Sequence, residues 1–352
     1  MKDVLIINKA PFGYLVDSYK WCQHLKSKCH LTYVGIGKPV EHSDIGGLKI
    51  ISVKSRNNRL FTAFCFISVC LWYILVNRGF TIVVFFDYCA ILKRILPWKK
   101  MHLDLRTLSV SKDGKAREAY DNMIQKSVNL FDSVSAISKG VIQKLNIVNK
   151  PSFILPLGAD MISQEKKDYS ELHLVYIGTF DGRDLHKTIE GLADYVNAHN
   201  NCKVDYHIVG FSQFGEEQKL MDLCNQLGIA DYVIFHGRVP HDQLSTVLDK
   251  CNVGVSFVPL TEYYDIQPPT KTFEYAMSGL FCIATNTSEN RKLISSDNGV
   301  LIDDSALAFS EALSYIENHK GEFNEQKIRK SLDKSTWKSI VNDILIPNVE
   351  AL

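Results

Sequence analysis

What the sequence lacks narrows its reading first. It has no excess of either charge: 40 Lys and Arg stand against 39 Asp and Glu in 352 residues, a formal net charge of +1. A chain this balanced does not bind nucleic acid through a global basic field. It has no Cys-x-x-Cys and no regular Cys/His spacing, and its nine Cys are scattered. That pattern fits reduced thiols in a cytosolic protein better than disulfides or zinc, and no metal site is expected. A Gly-x-Gly-x-x-Gly is missing too, which argues against a nicotinamide dinucleotide site. No basic leader precedes a hydrophobic region in Met1–Ala10, so no signal peptide is expected. With 46% hydrophobic and 22% charged residues, disorder, collagen and a small disulfide scaffold are excluded.

Long apolar runs are also scarce. The single strong one is Phe61–Val76, FTAFCFISVCLWYILV, just short of the roughly 18–20 residues a spanning helix needs. Three readings stay open. It is a buried helix on a sheet, because Thr81–Phe86 reads as a buried strand. It is a helix lying on the cytoplasmic face of a membrane, with Trp72, Tyr73 and several Phe in the interface. Or it is a true span.

What is present is a regular alternation. Short runs rich in Val, Ile and Phe fall at Val4–Ile7, Leu31–Ile36, Leu48–Val53, Thr81–Phe86, Lys100–Leu105, Ser133–Ala136 and Ser152–Pro156. They come again at Leu172–Ile177, Val204–Val209, Tyr232–Phe235, Val253–Phe257, Phe281–Ala284 and Gly299–Ile302. Helical patterns lie between most of them. Continuous apolar strands between helices predict an α/β fold with parallel sheets covered on both faces. Two sets of strands predict two Rossmann-like, doubly wound domains with a cleft between them. The seam is read near Asp160–Ser170, where Pro156–Asp160 ends a strand and the polar stretch Ser163–Tyr169 follows. The expected division is 1–165, 166–335 and a C-terminal helix over 336–352 that packs back on the first domain.

In open parallel sheets, ligands sit where strands lead into helices. The most informative such segment is Gln267–Gly279, QPPTKTFEYAMSG. Thr270 is placed to cap a helix that Gly279 ends in a left-handed turn. Lys271 falls in the first turn, where the helix dipole disfavours a cation. A bound anion using the free N–H groups of that turn accounts for it, and so does a solvated surface Lys. Glu274 lies one turn further in, where a carboxylate can accept from vicinal sugar hydroxyls.

PTKTFEYAMSG followed by FCIAT resembles the nucleotide-sugar motif of the family 4 glycosyltransferases, which have the GT-B fold. The ordered segments Leu174–Gly178, Tyr206–Gly210, Val233–Val239 and Ser133–Ser138 resemble further parts of the same family. The resemblance implies a metal-independent, retaining transfer from a nucleotide diphosphate sugar of UDP or GDP type to a glycan or lipid-linked acceptor, in bacterial surface polysaccharide synthesis. It implies no cofactor. It carries Glu274 over as ribose ligand, with Gly178, Gly210, Arg238, Thr270, Lys271 and Thr272 also on the donor side. The first Glu of the family's Glu-x₇-Glu pair falls on Ile266 here.

Two further loops carry candidates. In Gly178–Lys187 the resemblance implies that Arg183, and then Lys187, meet the donor diphosphate, where a bidentate guanidinium would stabilise the charge that grows on it; a surface loop with an Asp181–Arg183 or Asp184–Lys187 pair is the other reading. In Met101–Arg106, alternation sends His102, Asp104 and Arg106 to one side. The resemblance implies polar groups at this strand's end that face the donor sugar, with Asp104 the catalytic-side candidate and Arg106 an acceptor-side one; a partly buried Asp–Arg pair that fixes a loop is the other reading. Gly13, after the first strand, is the remaining acceptor-side candidate. His30, His173, His207 and His241 show no partner pattern. A non-catalytic GT-B subunit bound to a partner or membrane, and a sugar-nucleotide epimerase, are the alternative readings.

Overall fold

The structure is a computed structural model that describes residues 2–41, 43–199 and 202–351. Its 13 strands form two wholly parallel sheets, one of seven strands and one of six. Each strand falls on an apolar run marked in the sequence. The chain divides into two compact units, Met1–Gly158 with Trp337–Leu352, and Ala159–Thr336.

The first unit contains β1 (Lys2–Ile7), β2 (Cys29–Ile36), β3 (Leu48–Val53), β4 (Phe80–Val84), β5 (His102–Leu105), β6 (Ser133–Ala136) and β7 (Ser152–Ile154), in the order β3-β2-β1-β4-β5-β6-β7. Its helices are α1 (Val16–Leu25), α2 (Arg59–Val76), α3 (Ala90–Ile95), α4 (Gly114–Leu130) and α5 (Lys139–Lys144). Side chains that compete for backbone N–H groups start three of them: Asn58 accepts from Phe61 N, Asp113 from Lys115 N and Ser138 from Val141 N. The apolar run at 61–76 becomes α2. One face, with Thr62, Phe66, Ile67, Cys70 and Ile74, is buried on β1, β2 and β3. Its other face is exposed.

The C-terminal segment belongs to this first unit. Trp337, Ile340, Val341 and Leu345 join Val4, Ile6, Trp21 and Leu25 in one apolar cluster. Gly158 is needed there, because a Cβ would stand 2.8 Å from the Trp337 ring. The expected continuous helix is broken: Trp337–Ser339 and Ile346–Ala351 flank a π-turn at Ile340–Leu345. Pro347 has no N–H to give, and the backbone widens just before it.

The second unit contains β8 (Leu172–Thr179), β9 (Val204–Phe211), β10 (Val233–Gly237), β11 (Val253–Ser256), β12 (Phe281–Thr285) and β13 (Gly299–Ile302), in the order β10-β9-β8-β11-β12-β13. Its helices are α6 (His186–Ala198), α7 (Glu216–Gln226), α8 (Ser245–Leu248), α9 (Glu262–Asp265), α10 (Thr270–Met277), α11 (Ala306–His319) and α12 (Glu325–Lys330). The expected boundary at 165 needs correction, because the second unit begins at Ala159. The polar stretch read as a seam is bonded into this unit. Lys167 donates its ammonium to Ser163 Oγ at 2.9 Å and to Leu248 O at 2.5 Å. Tyr169 Oη donates to Gly279 O at 2.6 Å. Arg329 reaches Ser163 O at 2.7 Å.

Candidate functional site

The strand order of the second unit reverses between β8 and β11. In open parallel sheets such a reversal, at the carboxyl ends of the two strands, is where ligands sit. The loops there are Gly178–Asp184, which carries Arg183, and Phe257–Pro269, which leads into α10 and Glu274.

The β8 loop is tightly specified. Gly178 and Gly210 face each other in register. A Cβ on Gly210 would stand 1.7 Å from Gly178 O, at a φ of +147°, so no other residue fits. Asp181 then ties the loop to the next one, accepting from Ser212 Oγ and from Gln213 N at 2.9 Å. Gly182 and Asp184 both take the left-handed conformation, φ +69° and +53°, and so turn Arg183 out between them. The Arg183 guanidinium lies over the Tyr264 ring, 4.7 Å from its centroid. Among the described residues no carboxylate pairs with it. Tyr264 is held from behind, since its hydroxyl donates to Gly182 O at 3.3 Å. The arrangement fixes a guanidinium with its donors free.

Lys187 is placed differently. It is half-buried between Asp184 at 3.8 Å and Asp304 at 3.5 Å, so an anion has to compete with two carboxylates for it. Arg238, exposed after β10, stacks on Phe211 at 5.3 Å.

Glu274 sits in the middle of α10 and is almost fully buried. Its carboxylate takes the Lys271 ammonium on one oxygen and His241 Nε2, 3.5 Å away, on the other. Burial alone would raise its pKa, but Lys271 and His241 outweigh that and hold it down to about 2. Lys271 therefore has an internal partner one turn on, and its position in the first turn needs no bound anion. His241, which shows no partner pattern in the sequence, is brought to Glu274 by the segment after β10. Two other expectations change here. Pro269 is the residue before the first helical turn, and Thr270 is the first helical residue. Thr272 is fully buried, bonded to Ser256 Oγ at 2.7 Å and to Asn290 Oδ1 at 3.0 Å. Its hydroxyl anchors α10 to the end of β11 and is closed to a donor. His173 and His207 also have partners: His173 bonds Asp205 at 2.8 Å, and His207 lies 3.3 Å from the same carboxylate and meets His236 at 2.7 Å.

In the first unit, Asp104 and Arg106 do not form an open site. His102, Asp104 and Arg106 do share a side, but the side is buried. His102 is clamped between the hydroxyls of Ser133 and Ser135, both at 2.8 Å, and burial pushes its pKa down to about 3. Asp104 has no exposed surface. It accepts from Ser135 Oγ and lies 3.6 Å from Arg106. Arg106 in turn donates to Asp17 at 2.7 Å and to Leu155 O at 2.8 Å, and covers the Trp21 ring. This is a buried charge network that joins β5, β6 and α1. Gly13 takes a left-handed turn, φ +87°, with a Cβ position 2.5 Å from Ser43 Cβ; tight chain reversal accounts for it.

Comparison with known proteins bears on the fold. Residues 171–319, nearly the whole second unit, match the family model described as Glycosyl transferases group 1. No curated protein sequence matches the chain. Sucrose-phosphate synthase from Thermosynechococcus elongatus superposes with a TM-score of 0.78 at 16% identity, over 100% of both chains. Anabaena Alr3699/HepE, solved in complex with UDP and glucose, gives 0.76 at 11% identity, again over 100% of both. WaaG, a glycosyltransferase involved in lipopolysaccharide biosynthesis, gives 0.69 at 14% identity, over 97% of this chain and 98% of its own. At such identities the likeness is one of fold. The chain thus has the α/β GT-B fold, and its residues 171–319 form a glycosyl transferases group 1 domain.

Proposed function

We propose that this chain is a retaining glycosyltransferase of family 4. In this reading it moves a sugar from a nucleotide diphosphate sugar, UDP or GDP type, to a glycan or lipid-linked acceptor in surface polysaccharide synthesis on the cytoplasmic side. The observation that carries the reading is the Arg183 guanidinium, stacked on Tyr264 and unpaired by any described carboxylate, at the point where the strand order of the group 1 domain reverses. Arg183 would bind the diphosphate bidentately and stabilise the charge that builds on it as the sugar leaves. Lys187 would add a second charge once released from Asp184 and Asp304. Glu274, kept ionised, would take the ribose hydroxyls, and Lys271 and His241 would orient its two oxygens. The first N–H groups of α10 would face phosphate oxygens. No protein base is required if the leaving phosphate accepts the acceptor's proton. The first unit would bind the acceptor, by groups other than the buried Asp104 and Arg106.

Incubation of the purified chain with radiolabelled nucleotide sugars and lipid-linked or oligosaccharide acceptors tests this. Transfer with retained anomeric configuration is expected. Hydrolysis-free binding without transfer to any acceptor would favour the non-catalytic subunit, for which the Ile266 at the first Glu position speaks. Glu274→Gln should raise the donor KM about 10–100-fold, the worth of a charge-assisted hydrogen-bond pair, with a smaller change in kcat. Because the carboxylate titrates at about 2, it stays ionised, and its share of donor affinity should not fall between neutral pH and about pH 4. An unchanged KM in Glu274→Gln would remove Glu274 from the site.

A further inference from the structure

The charge of this chain is balanced as a whole and strongly unbalanced in one place. Residues 45–104 hold nine Lys and Arg against two acids, Asp87 and Asp104. Asp104 is buried and Asp87 pairs with Lys9. The segment is therefore formally +7 in a chain of +1, and the rest of the chain carries −6. Lys93 is spent internally on Asp132. Among the described residues Arg56, Arg59, Arg78 and Arg94, all exposed, have no carboxylate partner.

The same segment carries the exposed face of α2. Leu60, Phe64, Trp72 and Val76 follow one another at multiples of four on that face, and all are exposed. Ser68 completes the row, and its hydroxyl is turned back onto Phe64 O at 2.9 Å. No charge interrupts 60–77. The row continues beyond α2: Lys99 donates to Leu75 O at 2.9 Å and Asn77 O at 3.1 Å, which binds the segment of Trp98 to the end of α2. Two of the chain's four Trp are fully buried, Trp21 and Trp337, whereas Trp72 is 63% exposed and Trp98 69%. Cations rim α2 and touch aromatics beside the row, with Arg56 over Phe61 at 4.9 Å and Lys49 over Tyr73 at 5.2 Å.

We infer that this face, α2 with the Trp98 segment, docks the first unit on an anionic lipid bilayer. The inference is independent of the glycosyl-transfer reading. The inner face of α2 is used up on β1–β3, so the helix lies in the plane of the interface with its outer row in the acyl boundary and its Trp at headgroup level. Anionic headgroups supply the counter-charge that the rim lacks. A second copy of the chain fits worse, because pairing this face with itself would bring two +7 segments together.

Co-sedimentation of the full chain with vesicles of phosphatidylcholine, alone or mixed with phosphatidylglycerol, tests the inference. Binding is expected to the mixed vesicles and to weaken with added salt, with a blue shift of Trp emission from Trp72 and Trp98. The Phe64→Ser/Trp72→Ser double variant, altered only at exposed positions, should stay folded by circular dichroism and lose at least about ten-fold in partitioning. Arg56→Ser and Arg59→Ser should each cost about five-fold. Absence of binding to the mixed vesicles, or equal binding by the double variant, would overturn it. So would a concentration-dependent dimer in sedimentation velocity that the double variant abolishes while vesicles are ignored.

Discussion

Arg183→Ala is expected to lower kcat about 100–1,000-fold, the loss found when a preorganised charge-stabilising donor is removed. The expectation follows from where the guanidinium is held. A flexible surface Arg would first have to be ordered by the donor, which would weaken binding and chemistry alike. Here Gly182 and Asp184 set the backbone in left-handed turns and Tyr264 provides the platform. The group is in place before the donor arrives, so its contribution should grow as charge moves onto the leaving diphosphate. Arg183→Lys should recover little, because an ammonium cannot bond two oxygens bidentately or stack on the ring in the same way. Steady-state kinetics checks both variants. A kcat within about three-fold of the wild type in Arg183→Ala would exclude the guanidinium from transition-state stabilisation.

Arg106→Met is expected to destabilise the first unit by about 3–5 kcal/mol without touching a donor site, because it leaves Asp104 and Asp17 without their cation. Met keeps an unbranched stem over Trp21, so packing changes least. Urea unfolding of the full chain, followed by signals of the first unit, measures the loss, and a value under about 1 kcal/mol would show that the network is solvated. The pH dependence has a defined sign. Burial, only partly offset by Arg106, raises the Asp104 pKa from 3.8 to about 6. The folded state therefore holds the proton over a window in which the unfolded chain has released it. Asp104's contribution falls as pH rises through that window, between about pH 4 and 6.

These two arginines show how far the sequence could be read. The strands were legible because buried parallel strands are continuous runs of Val, Ile and Phe, and their two groups announced two sheets. The place of Arg183 in a strand-to-helix loop next to glycine was legible too. The depth of a residue was not. Alternation correctly put His102, Asp104 and Arg106 on one side, but it could not say that Ser133, Ser135 and Asp17, the last 89 residues from Arg106, close over that side. His241 was missed for the same reason, since its partner Glu274 is 33 residues away and meets it only after folding. Composition misled at Ser163–Tyr169. A string of polar residues reads as a linker, yet Lys167 and Tyr169 find backbone carbonyls inside the second unit. At Lys271 the dipole argument was sound but incomplete, because a carboxylate three residues on supplies what an anion would have supplied.

The nucleotide site in the group 1 domain is the claim on which the functional reading depends, and calorimetric titration of UDP and GDP into the purified full chain addresses it most directly. One of the two should bind at a single site per chain, and binding should weaken in both Arg183→Ala and Glu274→Gln. If neither nucleotide binds a chain that unfolds cooperatively on heating, or if both variants bind as the wild type does, the site assigned at β8, β11 and α10 is wrong.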